Sequence, residues 1–309
     1  MSQPPGIRHV RRRVALLPAL PLAALAAAGW LGSTVLLRRR DPDPSDPPSN
    51  YGLSYQDVRF PSRDGTPLRG WWIRPPQPNR GTLVLCHGHN GSMDGDTAQA
   101  ARLAQAGFAV LLFNFRAHGA SGGRHVTFGA REYLDVLGAL DWLEAAQGVR
   151  RAGLVGFSMG AGVALIAAAH DSRVGAVVAD GTIRRVGDAM LGLGRARGLP
   201  AWLVWPLAAA TLLAASLRAR VWIPQADPVR WVGRVRCPVL FVHGAEDPFT
   251  SLDAAREMAA RAGEGAALWV VPGAGHRDAY RLDPAAYYGR VAAFLERHLL
   301  HSPDGAGAA

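Results

Sequence analysis

The sequence predicts an α/β protein with a mostly parallel central sheet, helices on both of its faces and a helical cap insertion. Three observations carry this. Short uncharged apolar runs such as Thr82–Cys86, Val110–Phe113 and Val174–Ala179 alternate with stretches of helical spacing, the pattern of buried strands joined by crossover helices. Gly156-Phe157-Ser158-Met159-Gly160 follows one such run, Leu154-Val155, and leads into the small residues Ala161-Gly162-Val163-Ala164. A serine between two glycines at a strand-to-helix junction fits a sharp turn, because the reversing backbone leaves no room for side chains beside the apex. The other glycine-rich polar motifs also follow apolar runs directly, at the carboxyl ends of strands, where open α/β sheets carry their sites.

In chain order, residues 1–40 read as an N-terminal membrane anchor with arginine flanks. Val14 to Leu37 is an uncharged run of twenty-four residues between Arg8, Arg11, Arg12 and Arg13 on one side and Arg38, Arg39 and Arg40 on the other. That length crosses a bilayer and the arginines suit its two headgroup regions. Pro18 and Pro21 would bend a helix here but are tolerated in membrane spans. A cleaved signal peptide is the rival, since Ala26-Ala27-Ala28-Gly29 offers small residues after an apolar core. The apolar character continues through Trp30, Val35 and Leu37, which favours a retained single-pass anchor. The near balance of arginines leans only slightly to an inside N-terminus and a folded domain on the exported side; cleavage would make it secreted instead. Residues 41–50, rich in proline, aspartate and serine, read as a flexible stalk.

The folded domain is expected over residues 51–300. Tyr51 to Phe60 and Leu68 to Ile73 pair around the turn Ser62-Arg63-Asp64-Gly65. Thr82 to Cys86 is a buried strand, followed by a glycine-rich loop from His87 to Gly91. Ala98 to Ala106 is a short helix stopped by Gly107, and Val110 to Phe113 is the next strand. Arg131 to Glu144 carries Tyr133, Leu134, Leu137, Leu140 and Leu143 at helical spacing. Ala152 to Gly156 enters the serine turn and Met159 to Ala169 leaves it. Val174 to Ala179, Pro238 to Val242 and Leu268 to Val271 are further strands, and Tyr287 to Leu300 is the closing helix. Residues 182–232 break the alternation with Leu199-Pro200-Ala201-Trp202-Leu203-Val204-Trp205-Pro206 and an apolar run to Leu217. A second membrane span fits that length but would separate Ser158 from strands of its own sheet. A helical cap is expected instead, with an apolar face that lines an acyl pocket or rests on the bilayer; ordinary core packing is the plainer alternative. Residues 301–309 read as a disordered tail.

Composition excludes several classes. With 49% hydrophobic and 19% charged residues the chain is not a disordered one. The net charge of +10 does not mark a nucleic-acid binder: the first forty residues hold seven arginines and no acid, which leaves +3 for the rest. Cys86 and Cys237 lie at or beside apolar strand patterns, as buried free thiols rather than a disulfide. No histidine, cysteine or carboxylate cluster has metal-ligand spacing, so neither a metal nor a cofactor is expected. The oligomeric state is not legible.

A serine nucleophile needs a histidine base, and the base needs a carboxylate to fix its tautomer. In Phe241-Val242-His243-Gly244-Ala245-Glu246-Asp247-Pro248, Asp247 is the better acid and Glu246 the rival. In Val271-Pro272-Gly273-Ala274-Gly275-His276, the glycines place His276 on a loop. An oxyanion hole needs two backbone amides. Met159 offers one, and the loop Leu85-Cys86-His87-Gly88-His89-Asn90-Gly91 offers the other, at His89 or, next to it, Asn90. His87 reads as a loop-bonding group rather than a base.

With these motifs, and with Phe115-Arg116-Ala117-His118-Gly119-Ala120-Ser121-Gly122, the chain resembles the α/β-hydrolase superfamily over about residues 53–299, in particular its prolyl-oligopeptidase-like and lysophospholipase-like bacterial branch. The order Ser158, Asp247, His276 is that of the superfamily. Relatives usually read Arg-Gly-His-Gly-x-Ser at the second motif; Ala117 replaces the first glycine, which should shift a turn without abolishing chemistry. The resemblance implies acyl transfer by a serine hydrolase, on a small-molecule or lipid-like acyl ester. A peptidase or amidase is the alternative, and a non-catalytic binding protein of the same fold is the alternative of another class.

Overall fold

The computed structural model describes residues 19–300 of the chain. Residues 1–18, with the first arginine cluster and the start of the apolar run, and the expected tail at 301–309 lie outside the described residues. Eight strands form one sheet: β1 (Tyr55–Pro61), β2 (Pro67–Ile73), β3 (Thr82–Cys86), β4 (Ala109–Asn114), β5 (Ala152–Phe157), β6 (Val174–Asp180), β7 (Val239–Gly244) and β8 (Ala266–Val271). Their spatial order is β1-β2-β4-β3-β5-β6-β7-β8. The pairs β1–β2 and β2–β4 are antiparallel and all the others are parallel. The helices are α1 (Ala19–Leu37), α2 (Thr97–Gln105), α3 (Glu132–Gln147), α4 (Met159–His170), α5 (Val186–Ala196), α6 (Ala201–Ala219), α7 (Leu252–Ala262), α8 (Ala279–Leu282) and α9 (Pro284–Leu300).

Every residue of β3 through β7 is buried, which is why these strands read as unbroken apolar runs rather than alternating ones. Successive side chains still point to opposite faces. Val84, Phe113, Val163 and Phe241 pack on one side of the sheet, with Leu140 of α3. Leu83, Leu85 and Val155 pack on the other, with Tyr287 and Leu295 of α9. Cys86 is buried and Cys237 half-buried, and both are free thiols.

Three expectations change. Pro48–Tyr51 is a single 3₁₀ turn, so β1 begins at Tyr55. Helix α7 lies between β7 and β8, where alternation demands a helix; its buried face is only Ala254, Ala255 and Met258, a stripe with a single large apolar side chain. Residues 41–50 do not hang free as a stalk. Asp43 accepts from the Ser92 amide at 2.7 Å and donates its own amide to Ser92 Oγ. Tyr51 donates to Asp46 at 2.6 Å, and the Arg40 amide to the Ala117 carbonyl at 2.8 Å. Pro42, Pro44, Pro47 and Pro48 already restrict this segment in the unfolded chain, so few hydrogen bonds suffice to fix it.

The insertion between β6 and β7 holds α5, α6 and three short 3₁₀ turns from Ile223 to Arg234. Helix α6 is long and apolar enough to cross a membrane by length and composition. It does not stand alone, because α1 lies along it. A Cβ added at Gly29 would fall 2.7 Å from Ala210, and one at Gly32 2.6 Å from Thr211 Oγ1. Small residues therefore allow the two backbones to approach. Arg218 of α6 ties the pair with hydrogen bonds to Ser33 Oγ and Thr34 Oγ1 at 2.8 and 2.7 Å, and lies over the Trp30 ring. Leu37 is buried against Val186, Ala215 and Ile223.

Candidate active site

Strand β5 ends at Phe157 and α4 begins at Met159, which leaves Ser158 alone in the turn. Its backbone sits at φ 53°, ψ −114°, a conformation that costs a non-glycine residue about 1–3 kcal/mol and is kept where a site requires it. The Ser158 amide is held by the Asp180 carbonyl at 2.8 Å. A Cβ at Gly156 would come within 2.6 Å of the Ala161 Cα, and one at Gly160 would overlap the carbonyls of Cys86 and His87. Both glycines are therefore required by close backbone approach.

The loops after β7 and β8 bring the two expected partners to this serine. The Asp247 side chain is fully buried, with Oδ1 accepting from the amides of Phe249 and Thr250 at 2.8 and 3.1 Å. Its Oδ2 accepts from His276 Nδ1 at 2.7 Å. That bond places the imidazole proton on Nδ1 and leaves Nε2 free to accept from Ser158 Oγ, 2.8 Å away. Gly181, at φ 63°, leaves space for the ring: a Cβ there would lie 3.1 Å from His276 Cε1. Glu246 is exposed and takes no part in this line.

Met159 is the first residue of α4, where amides have no intrahelical partner. The loop after β3 faces it: a Cβ at Gly88 would be 3.7 Å from Ser158 Cβ. His89 and Asn90 line the same cavity as Ser158. His87 is a loop-bonding group, donating from Nδ1 to the Gly88 carbonyl at 2.7 Å and accepting at Nε2 from the Phe115 amide at 3.0 Å. His118 faces the His89 carbonyl at 3.0 Å and so fixes the peptide between His89 and Asn90. Ala117 keeps a left-handed backbone at φ 56°, the conformation that glycine favours at this point.

Burial first, then the Arg40 guanidinium 2.7 Å away, holds the His89 imidazole down at about 3. Between pH 3 and 6.5 the unfolded chain binds a proton at His89 that the native state refuses. This group's contribution therefore falls as pH falls through that window, by about 1.4 kcal/mol per pH unit. In urea titrations across that range, His89→Gln is expected to show a stability slope smaller than wild type by about one proton; equal slopes would refute the assignment.

Sequence reading missed three supporting groups. Arg277, at φ 61°, pairs with the buried Asp96 and lies over the Phe157 ring at 4.7 Å, bracing the loop that carries His276. Asp180 is pushed up to about 6 by burial and accepts from Tyr287 at 2.7 Å, which pins α9 under the site. Arg40 closes on His89 from the end of α1. Only the adjacency of Arg277 to His276 offers a signal in the sequence, and it is a faint one. Arg40 reads there as a membrane flank.

Above Ser158 lies a cavity of about 910 Å³ with mostly apolar walls. Leu31, Val35 and Leu36 of α1 form one wall, and Met190 and Leu193 of α5 another, with Leu207 of α6 above them. Among the described residues no group of three or more histidine, cysteine or acidic side chains is placed to hold a metal.

Sheet order, crossover helices and the strained serine turn define an α/β-hydrolase fold. Residues 81–205 match the family described as alpha/beta hydrolase fold, and residues 217–305 match that described as TAP-like protein. An uncharacterised Mycobacterium tuberculosis protein is 27% identical over 292 residues, covering 92% of this chain and 96% of its own. YqkD of Bacillus subtilis, also uncharacterised, is 27% identical over 245 residues, 77% of this chain and 78% of its own. Among solved structures, an esterase of Pyrococcus furiosus superposes with a TM-score of 0.73 at 25% identity, over 85% of this chain and 98% of its own. The α/β hydrolase GrgF of a Penicillium species gives 0.65 at 22%, over 80% and all of its own chain.

Proposed function

We propose that the protein is a serine hydrolase that cleaves carboxylic esters with apolar, lipid-like acyl groups through an acyl-enzyme on Ser158. The observation that carries this is the unbroken hydrogen-bonded line from Asp247 through His276 to Ser158 beneath an apolar cavity. His276 Nε2 takes the Ser158 proton as Oγ attacks the ester carbonyl, and the Asp247 carboxylate stabilises the imidazolium. The amides of Met159 and His89 hold the oxyanion. Collapse breaks the bond to the alcohol, which leaves with the proton from His276. Water, deprotonated by the same nitrogen, then releases the carboxylate and restores Ser158.

The likeness to an esterase supports ester chemistry. The apolar walls favour a lysophospholipase-like ester over a peptide, whose amide groups would go unpaired there. Wild type is expected to react with a fluorophosphonate probe at Ser158. On p-nitrophenyl esters from C2 to C12, kcat/KM should rise by up to about fourfold per methylene until the cavity is full, as burial of about 0.8 kcal/mol per CH₂ requires. Preference for acetate would refute the acyl pocket, and faster cleavage of aminoacyl-p-nitroanilides would favour a peptidase.

A further inference from the structure

The helix expected as a tether is part of the wall of the cavity. Helices α1 and α6 run side by side in the same direction: Gly29 meets Ala210, and Leu37 packs with Ala215 and Ala219. Each has nineteen residues, or roughly 28 Å, close to the hydrocarbon thickness of a bilayer. Their inner faces close the cavity over Ser158. Among the described residues nothing covers their outer faces: Trp202 is 76% and Trp205 64% exposed, and Leu22, Trp30 and Leu213 are exposed as well. So large an exposed apolar surface marks a partner.

The rim of the cavity decides which partner. Leu31, Val35, Leu193 and Leu207 line the cavity and are also exposed on that outer surface. The mouth thus opens within the apolar face. Arg38 follows α1, Arg218 and Arg220 lie at the C-terminal end of α6, and the bond from the Val126 amide to the Leu37 carbonyl brings the loop of Arg124 to the same end, where these arginines complement anionic headgroups.

We propose that α1 and α6 are embedded together in a lipid bilayer, and that the acyl ester reaches Ser158 from the lipid through this rim. The route rests on the serine-hydrolase reading above. The membrane segment then acts as anchor and substrate gate in one, and a charge on its outer face works against embedding.

The test uses the full chain in phosphatidylcholine–phosphatidylglycerol vesicles. Trp202→Glu/Trp205→Glu, outside the cavity, is expected to lower hydrolysis of vesicle-dissolved 4-methylumbelliferyl oleate at least tenfold while soluble p-nitrophenyl acetate is cleaved within twofold of wild type. Unchanged oleate hydrolysis overturns the route alone. A wild type that cleaves neither ester and leaves Ser158 unlabelled overturns the hydrolase reading instead. Packing is tested without catalysis: a Cβ on Gly32 lies 3.5 Å from Thr211 Cβ, within disulfide reach. Gly32→Cys/Thr211→Cys is expected to form an intrachain bridge on oxidation in vesicles. A folded, unbridged variant means that α1 stands apart, which overturns the proposal.

Discussion

Ser158→Ala is expected to abolish fluorophosphonate labelling and to lower kcat/KM for p-nitrophenyl butyrate by roughly a millionfold, the scale of nucleophile loss in serine hydrolases that act as a coupled unit. Asp247→Asn should cost about ten-thousandfold. Its amide nitrogen would face His276 Nδ1 with a donor and drive the proton to Nε2, so that the base faces Ser158 protonated. Stability gives a separate readout at each position. At φ 53° Ser158 carries strain, and Ser158→Gly should melt higher than wild type despite its inactivity. Asp247 satisfies two backbone amides, so its asparagine variant keeps part of that role. Retention of more than one hundredth of wild-type activity by Ser158→Ala would remove the assigned nucleophile.

Asp135→Ala is expected to have the largest effect on stability, about 3–5 kcal/mol, or roughly 10 °C in Tm for a domain of this size. Arg116 is buried, and Asp135 accepts from its backbone amide, Nε and Nη2 at 2.6–3.2 Å. Asp64 and Ser62 complete the cradle. Removal of Asp135 leaves a buried guanidinium short of partners, whereas Arg116→Met/Asp135→Leu removes both charges and should recover much of the loss. The loop from Arg116 also carries His118 to the His89 carbonyl. Asp135→Ala should therefore lower kcat as well, measured well below its Tm. A loss under 1 kcal/mol would show that the cradle is dispensable.

Much of this arrangement was legible in the residues. Gly156 and Gly160 announced the serine turn because close backbone approach excludes any other residue, and apolar runs without alternation announced strands buried on both faces. The order Ser158, Asp247, His276 anticipated the line in which the structure joins them. Less legible were groups that act through contacts distant in sequence. Arg277 and Asp96 are 181 positions apart, and Tyr287 and Asp180 are 107 apart. Neither pair forms a local pattern.

The sequence by itself determined the sheet, the serine turn and the candidates for the proton relay, since each depends on local steric demands or on hydrophobic runs. It also marked residues 14–37 and 199–217 as apolar, but as two separate features joined to the domain by a stalk and a cap. Only the tertiary structure decided that residues 41–50 are pinned by Ser92, that Gly29 and Gly32 seat α1 on α6, and that both helices enclose the space above Ser158. Hydropathy records how apolar a helix is and says nothing of what its faces touch. That depends on which small residues meet across the pair.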